Sequence, residues 1–565
     1  MRDHDRHVIV VGAGLSGLAT ALGSALRGCP VTVFEAADLV GGAAAYSGGQ
    51  VWVGGNHVAE REGIEDSLEL AERYVRDIAH AAPEALDERA MRRWLTESPK
   101  AVRYWEEVGA IRWAVIPGLA DYHAEADGAL GAGRYLTNEV IDGSVLGEWR
   151  RRIRVSPYFP VGTTYGEMFV EGRRVSGSDA DDTAARGDQA QAFGLTRSDG
   201  EADGRQVGAA DPLTFGTGVV ASFLARLLKE ESVTIRTSHP VTELLTDDAG
   251  RVVGVRAQGA DGPVEAYGDV VLATSTYDWD PELVRDLLGL EPEDFGSIAP
   301  RSLRGDGLKL ARSVGGDVAR IPATSVPMLP GWEAGDGAGF AYGPEFAKPH
   351  TFIVDRSGRR FCNDSYWVDI VAKALDPDDR HLPFYLIWDE QHRRKYGLGT
   401  VPPGGEYPPG VVTSAQSLRE LGAALGIDGE RLERTAARFN EHAERGDDPD
   451  FGRGSLDYVL RFYGDPRHRP NPVLGTVTEA PFHGMRLRFL GTGIGSSGIR
   501  TDEDGHVLNA SGERVPGLYA VGSCAALTSS GSGYNSGFAL GRGLTTAYLV
   551  SRELGGRSGE TTAGD

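Results

Sequence analysis

Three glycines near the N-terminus, Gly12, Gly14 and Gly17, have the GxGxxG spacing. Glycine at these places permits a tight turn, a close approach of the backbone to a pyrophosphate, and close contact between a helix and a strand. An apolar run a little further on ends at Glu35, whose carboxylate can accept hydrogen bonds from a ribose diol. The glycines and the acid together predict a dinucleotide site, with the pyrophosphate at a helix N-terminus.

The elements that must position these residues lie in the same stretch. Residues 7–11 are apolar and β-branched, which predicts a buried strand, and residues 31–34 predict a second one. Between them, an apolar pattern over residues 18–26 predicts a helix. Further apolar strands are predicted at 269–274 and 518–521. The return to buried strands so late in the chain predicts an α/β fold whose nucleotide-binding domain is discontinuous.

After Glu35 the sequence continues AADLVGGAAAYSGGQVW, with a second glycine cluster at Gly41, Gly42, Gly48 and Gly49. A nicotinamide-binding unit does not need this second loop. The arrangement resembles the flavoprotein family of succinate dehydrogenase and fumarate reductase flavin subunits and 3-ketosteroid dehydrogenases, in which such a loop covers the FAD. The GDGLKLA turn, the GRRFCND stretch and the VPGLYAVGSCA segment also resemble this superfamily.

The resemblance implies FAD as the cofactor. In the respiratory members a histidine shortly before the paired glycines binds the flavin covalently, and here Gly42 has that place, which implies non-covalent FAD. The residues that the resemblance assigns to the FAD site are Gly12, Ala13, Gly14, Ser16, Gly17, Glu35, Ala36, Gly41, Gly42, Ser47, Gly48, Gly49, Val241, Ala273, Gly522, Gly537 and Leu540.

The late return of apolar strands and the different texture of the middle of the chain indicate the domain boundaries. We expect a Rossmann-like FAD-binding domain over residues 1–276 and 483–565, and an inserted α+β substrate and catalytic domain over 277–482. Residues 176–208 are rich in Asp, Gly, Ala and Ser, which predicts a solvated, mobile, acidic surface insertion. Among local features, Ser67 is a predicted helix cap. Hairpins are predicted at 247–250 and 357–358, the second delivering Tyr366.

Two stretches indicate the branch of the family. ADYHAEADGALGAGR resembles the tyrosine-bearing loop of 3-ketosteroid Δ1-dehydrogenases, whereas GSGYNSGFALGRG is more similar to the Δ4-(5α)-dehydrogenases. The sequence thus mixes features of both subgroups and leaves the position of desaturation open. In fumarate reductases an arginine in the terminal glycine-rich loop binds the dicarboxylate, and Tyr534 has that place here. Residues 494–497 also lack the substrate histidine of those enzymes, so a neutral carbonyl substrate is favoured.

The resemblance implies the roles of four catalytic residues. The Tyr534 hydroxyl and the Gly537 N–H would stabilise the enolate-like charge at a carbonyl oxygen. Tyr366 would take the α-proton while the β-hydrogen leaves as hydride to flavin N5, with Tyr122 as neighbour or proton relay. A phenol has a pKa of about 10, so the base needs help near neutrality. His123 is the second candidate for the base.

The leading hypothesis is therefore an FAD-dependent dehydrogenase that desaturates a steroid-like or other cyclic, hydrophobic ketone. Two alternatives stay open at this point: an ene-reductase of an unsaturated ketone or acid, and a non-catalytic binding protein with a flavin fold. One dinucleotide fingerprint predicts no internal NAD(P)H site, so the electrons would leave to an external acceptor, namely a quinone, a carrier protein or oxygen.

Composition limits the class of partner. The 565 residues include 58 Lys and Arg against 81 Asp and Glu, a formal net charge of −23, which disfavours nucleic acid or an anionic membrane as a partner. Three cysteines without a CxxC pair predict a reducing compartment and no metal site. The polar start MRDHDRH is not typical of a signal peptide, and no apolar stretch is long enough for a transmembrane segment. A cytoplasmic enzyme is the simplest hypothesis.

Overall fold

The computed structural model describes residues 7–159, 162–169, 211–322, 327–334, 339–399 and 401–556. The predicted insertion at 176–208 lies outside these residues. The α-helices are Leu15–Ala25, His57–Arg61, Leu68–Ile78, Glu88–Glu107, Tyr165–Phe169, Phe215–Leu227, Pro281–Leu288, Asp306–Ser313, Trp367–Ala374, Glu390–Lys395, Leu418–Leu425, Gly429–Arg445, Asp457–Phe462 and Phe538–Gly556.

The strands of the described residues form a mixed α/β fold with those helices. They are Val8–Val11, Val31–Phe34, Val51–Trp52, Trp113–Val115, Tyr135–Asn138, Ile141–Asp142, Pro212–Leu213, Val233–Arg236, Val241–Thr246, Val252–Gly259, Gly262–Tyr267, Asp269–Leu272, Phe295–Ser297, Val318–Ala319, Leu329–Glu333, Phe340–Tyr342, Thr351–Asp355, Phe384–Asp389, Thr413–Ala415, Phe482–Gly491, Gly498–Ile499, His506–Leu508 and Arg514–Ala520.

The first sheet joins strands from three distant parts of the chain. The strand Val8–Val11 lies at its centre and pairs in parallel with Val31–Phe34 on one side and Asp269–Leu272 on the other. Arg514–Ala520 continues the sheet in parallel beyond Asp269–Leu272, and Val233–Arg236 lies beyond Val31–Phe34. An antiparallel edge strand, His506–Leu508, completes the six. The central strand is fully buried, as expected for a sheet covered on both faces.

Helices cover one face of this sheet. The helix Leu15–Ala25 packs against Phe538–Gly556, and their contact is close because Gly23 has no side chain: a Cβ there would lie 2.3 Å from the Ser551 hydroxyl. On the other face, the antiparallel strands Val241–Thr246 and Val252–Gly259 contribute buried residues to the same core as Ile9. The first sheet is thus held between layers that leave its carboxyl edge free for a ligand.

A second sheet of seven strands is built from the middle of the chain. Its long strand Phe482–Gly491 pairs with Phe384–Asp389, which pairs in turn with Thr351–Asp355. The hydrogen bonds of residues 482–491 thus place them in this second sheet.

None of the helices among the described residues combines the length and the apolar character that a membrane span requires.

The expected hairpin at Ser357–Gly358 is only half correct. The turn forms, with Gly358 N–H donating to the carbonyl of Asp355 at 2.9 Å. The predicted second strand is wrong, because the strand Thr351–Asp355 pairs with Phe384–Asp389 instead. The residues after Gly358 still contact the strand Thr351–Asp355, but through a side chain. The buried Asp364 carboxylate accepts a hydrogen bond from the main-chain N–H of Ile353 at 2.7 Å.

Candidate active site

A deep cleft opens at the carboxyl ends of the parallel strands of the first sheet. Val11, Phe34, Ala273 and Val521, which end or directly follow four of its strands, line the cleft. The cleft encloses about 1220 Å³ of empty space, including the part open to solvent. The carboxyl edge of a parallel sheet is the usual place for a nucleotide in folds of this kind.

The GxGxxG loop forms one wall of the cleft. Gly12 has φ +107°, and a Cβ there would lie 2.4 Å from the carbonyl oxygen of Ala273. A Cβ at Gly17 would lie 2.0 Å from the carbonyl oxygen of Gly12, whereas one at Gly14 would meet nothing within 4 Å. No side chain caps the helix Leu15–Ala25. Its first N–H groups are therefore free to bind an anion such as a pyrophosphate.

Glu35 lies at the end of the next strand, with its side chain in the cleft wall. One carboxylate oxygen accepts from Ala13 N–H at 2.8 Å and the other from Ala37 N–H at 2.9 Å. Burial raises the pKa of the carboxyl, and these two hydrogen bonds oppose that rise. A carboxylate accepts about four hydrogen bonds. Glu35 is thus held in place and still has acceptor capacity for the hydroxyls of a sugar.

The second glycine cluster lies directly against the GxGxxG loop. Gly41 N–H donates to the carbonyl of Ala13 at 2.8 Å, and a Cβ at Gly42 would lie 3.3 Å from Gly14 Cα. Gly49, with φ +66°, is pressed against the backbone of Phe215. The two glycine loops therefore form a continuous main-chain surface along the cleft.

Most of the residues predicted for the cofactor line this cleft, and the remainder lie behind its wall. The lining includes Gly12, Gly14, Ser16, Glu35, Ala36, Gly42, Ser47, Gly48, Val241, Ala273, Gly522, Gly537 and Leu540. Ala13, Gly17, Gly41 and Gly49 do not line it and instead support the loops, as their contacts show.

A group of buried aromatic residues closes the other end of the cleft. Tyr534 and Gly537 line the cleft itself. The Trp367 ring lies between Tyr122 and Tyr534, with ring centroids 6.1 and 6.2 Å away. The hydroxyl of Tyr366 donates to the main-chain carbonyl of Tyr122 at 3.4 Å. The structure thus brings the predicted tyrosines together, although Tyr122 and Tyr366 are not part of the cleft lining.

Burial governs the acidity of these phenols. It raises the pKa of Tyr534 and Tyr366 well above the ordinary value, and the neighbouring Tyr122 adds to both shifts. Burial also raises the pKa of Tyr122, but hydrogen bonds with Ser536 and Tyr458 oppose it. All three phenols are therefore neutral near pH 7.

His123, the second candidate for the base, is bound to the main chain. Its ring Nε2 lies 3.1 Å from the carbonyl oxygen of Tyr534, and its main-chain N–H donates to the hydroxyl of Tyr74 at 3.3 Å. A carbonyl can only accept, so Nε2 carries the proton in this contact. Burial lowers the pKa of the ring. These contacts fit a histidine that fixes the loop carrying Tyr122.

Sequence reasoning missed Asn535, the residue that joins the tyrosine-bearing segments. Its side-chain oxygen accepts from the hydroxyl of Tyr74 at 2.7 Å, the hydroxyl of Tyr135 at 3.1 Å and the N–H of Tyr122 at 2.9 Å. Asn535 is fully buried. In the sequence, only its position beside Tyr534 in the terminal glycine-rich loop indicates that Asn535 has a role. Its three partners lie too far away along the chain for a local motif to indicate them.

One group of side chains elsewhere has the composition of a metal site. His442, Asp448 and Asp450 lie close together. Asp448 accepts two hydrogen bonds from Arg360, at 2.8 and 3.2 Å, and Asp450 is paired with Arg438. Arginines thus already neutralise these carboxylates. The predicted lack of a metal site stays a prediction.

Comparison with known proteins identifies the family. The sequence profile of the FAD binding domain matches residues 7–541. The chain belongs to this FAD-binding family. It is 28% identical to the 4-oxocyclohexanecarboxylate 2-dehydrogenase of Sinomonas cyclohexanicum, over 98% of this chain and 93% of the relative. It is 26% identical to the 3-oxosteroid 1-dehydrogenase of Mycolicibacterium smegmatis, over 98% of each chain.

A solved structure shares the fold of this chain. The 3-ketosteroid Δ1-dehydrogenase from Sterolibacterium denitrificans, solved with 1,4-androstadiene-3,17-dione, superposes with a TM-score of 0.82 over 98% of this chain and 100% of its own, at 22% identity. The family match and the relatives over nearly the whole chain confirm the resemblance to flavoprotein dehydrogenases, and FAD is the cofactor of the family. The open helix N-terminus, the side-chain-free surface at Gly14 and the fixed Glu35 carboxylate fit that cofactor.

Proposed function

We propose that this protein is an FAD-dependent dehydrogenase that introduces a carbon–carbon double bond beside the carbonyl of a steroid-like or other cyclic ketone. One observation carries the proposal: the dinucleotide cleft ends at buried tyrosines, and no lysine, arginine or histidine of the described residues lines it. A dicarboxylate needs cationic partners, whereas a ketone needs neutral hydrogen-bond donors. Curated relatives that match nearly the whole chain are dehydrogenases of cyclic ketones and steroids by name.

The fold proposal has two parts. The first is a discontinuous, Rossmann-like FAD-binding domain over residues 1–276 and 483–565, which the joining of Val8–Val11, Asp269–Leu272 and Arg514–Ala520 in one parallel sheet supports. The second is an inserted α+β substrate domain over 277–482. Its sheet also takes in the strand Phe482–Gly491, so the sheet extends a few residues beyond that boundary.

Two donors at the end of the cleft would stabilise the enolate. Neither the Tyr534 hydroxyl nor the Gly537 N–H donates to any described residue, and both residues line the cleft. Each donor is thus free for a substrate oxygen. Donors that are already oriented and sheltered from water stabilise charge that develops in the transition state. The carbonyl oxygen of the ketone would bind between them.

Tyr366 would act as the base that removes the α-proton, with Tyr122 as its neighbour or relay. Tyr366 is 7% exposed and touches the Tyr122 segment through its hydroxyl. Its raised pKa is consistent with a strong proton acceptor once it is ionised. FAD, when bound, supplies the acceptor for the hydride that leaves the β-carbon. With a single dinucleotide fingerprint, the electrons would then pass to an external acceptor.

FAD would be held without a covalent bond. Gly42 lines the cleft at the place of the tethering histidine, and it offers no side chain for attachment. The loop that carries it approaches Gly14 so closely that a larger residue would meet the backbone.

A reductive half-reaction would test the function. The FAD-loaded protein is mixed under anaerobic conditions with 4-androstene-3,17-dione, 4-oxocyclohexanecarboxylate, succinate or buffer, and the flavin absorbance is followed. At least one ketone should bleach the flavin at a rate that saturates with concentration, and succinate should not. Bleaching by succinate alone, or by none of the compounds, would refute the proposal.

A further inference from the structure

The hydroxyl of Tyr366, the proposed base, donates to a main-chain carbonyl that is itself held in place. The carbonyl belongs to Tyr122 and lies 3.4 Å from the hydroxyl. The same peptide group presents the N–H of His123, which donates to the hydroxyl of Tyr74 at 3.3 Å. One peptide group thus receives the phenol of Tyr366 at its carbonyl and binds the phenol of Tyr74 through its N–H.

Tyr74 in turn is bound by Asn535. The amide oxygen of Asn535 accepts from the main-chain N–H of Tyr122 at 2.9 Å, and because an N–H can only donate, this contact fixes which end of the amide faces these residues. An amide oxygen cannot donate, so the Tyr74 hydroxyl uses its only proton in the bond to Asn535, at 2.7 Å. The Tyr74 oxygen is then left to accept from the N–H of His123.

These contacts form one chain of hydrogen bonds. It runs from the Tyr366 hydroxyl through the peptide group between residues 122 and 123 to Tyr74, and it ends at the buried Asn535. Hydrogen bonds in such a chain polarise and strengthen one another. The bond of the Tyr366 hydroxyl is the longest of the three, as expected of a group that must turn to a substrate, because catalytic hydrogen bonds are often long until substrate binds.

We propose that Tyr74 is a positioning residue for the proposed base. Its hydroxyl holds the peptide group between residues 122 and 123 in the orientation in which the Tyr122 carbonyl receives the hydroxyl of Tyr366. Tyr74 itself does not line the cleft, so it acts through this peptide group and not on the substrate. The inference rests on the proposed function, in which Tyr366 takes the α-proton and the C–H electron pair stays behind as the enolate.

Tyr74→Phe breaks the chain with little other change. The ring is stacked on Trp52, with centroids 6.0 Å apart, and the Arg134 guanidinium lies 5.6 Å from it, contacts that do not involve the hydroxyl. The fold and FAD content should therefore match the parent. The N–H of His123 loses its acceptor, so the peptide group is no longer fixed. Flavin reduction by 4-androstene-3,17-dione or 4-oxocyclohexanecarboxylate should slow about tenfold, roughly the effect of one hydrogen bond.

Tyr135→Phe is the matched control. Tyr135 is also fully buried, and its hydroxyl donates to the same oxygen of Asn535, at 3.1 Å. Within the part of the chain that the structure describes, however, this hydroxyl forms no hydrogen bond with residues 122 or 123. Tyr135→Phe should therefore reduce flavin at the parent rate. An equal loss of rate in both variants would mean that the rate depends on the contacts of Asn535 as a whole, and it would overturn the proposal.

A double-mutant cycle with Tyr366→Phe separates positioning from a general loss of structure. If Tyr74 acts through the Tyr366 hydroxyl, Tyr74→Phe should cause no further slowing once that hydroxyl is absent. A merely structural effect would slow the Tyr366→Phe protein by the same factor as the parent. That additive result, with a parent protein that a ketone reduces, would overturn the role of Tyr74 and leave the proposed function standing.

Deuterium exchange followed by mass spectrometry gives a readout that does not depend on turnover. In the FAD-loaded protein without substrate, the fragment that contains His123 should take up deuterium faster in Tyr74→Phe than in the parent, because its N–H has lost its acceptor. Tyr135→Phe should match the parent. Unchanged uptake in Tyr74→Phe would refute the proposal. A parent that no ketone reduces would refute the proposed function instead, and the exchange experiment would still test the Tyr74 contact.

Discussion

Replacing Tyr534 by Phe is the most direct test of the oxyanion site. The ring should stay in place, because its packing against Trp367 and Phe538, with centroids 6.2 and 6.4 Å away, does not involve the hydroxyl. The hydroxyl donates to no described residue, so its loss should change the free energy of unfolding by less than about 1 kcal/mol. FAD content and melting temperature should therefore match the parent.

Catalysis should respond very differently to this change. Loss of one of two donors at a developing oxyanion costs about 3 kcal/mol, or roughly 10²–10³ in rate. Gly537 N–H remains as the second donor, so a residual rate should persist. Stopped-flow measurement of flavin reduction under saturating ketone gives this number directly.

A half-buried tyrosine outside the cleft serves as the control. Tyr104→Phe loses a hydroxyl that accepts from Arg27 at 2.8 Å, and it should reduce flavin at the parent rate. A Tyr534→Phe rate within threefold of the parent, with FAD bound and the fold intact, would refute the assignment of Tyr534 as oxyanion donor.

Three further predictions concern the base and the cofactor. Tyr366→Phe should keep fold and FAD but slow flavin reduction by roughly 10²–10⁴, and His123→Ala should not; the reverse result would make His123 the base. Glu35→Ala should weaken FAD retention in dialysis against buffer, because the ribose loses its acceptor and the N–H of Ala13 its partner. Acid precipitation should release all the flavin into the supernatant, since Gly42 offers no attachment, and yellow colour in the pellet would contradict non-covalent binding.

Local features of the fold could be predicted well from the sequence. The expected cap Ser67 accepts from the N–H of Leu70 at 3.2 Å at the start of Leu68–Ile78. The hairpin at 247–250 is confirmed, because Val241–Thr246 pairs with Val252–Gly259 across that turn. Both features depend on residues within a few positions of each other, where turn and capping chemistry decide the conformation.

Long-range pairing could not be predicted in the same way. The strand Thr351–Asp355 pairs with Phe384–Asp389 rather than with the residues after Gly358. The Asp364 carboxylate binds Arg360 at 2.9 Å and Arg453 at 3.0 Å, and together they form a buried ionic network behind the strand. A buried carboxylate needs such partners, and no spacing in the sequence indicates that one of them lies some 90 positions away.

The candidate site shows why tyrosine suits this cleft. A buried histidine, arginine or carboxylate needs a counter-charge or a full set of hydrogen bonds, and these would add charge beside the neutral carbonyl group that the site would bind. A phenol stays neutral when buried, as the raised pKa values of Tyr366 and Tyr534 indicate. Burying it therefore costs less free energy than burying a charged side chain. The ability to ionise must then come from neighbouring hydroxyls. Among the three predicted tyrosines, hydrogen bonds with side chains oppose the rise in pKa that burial causes only at Tyr122.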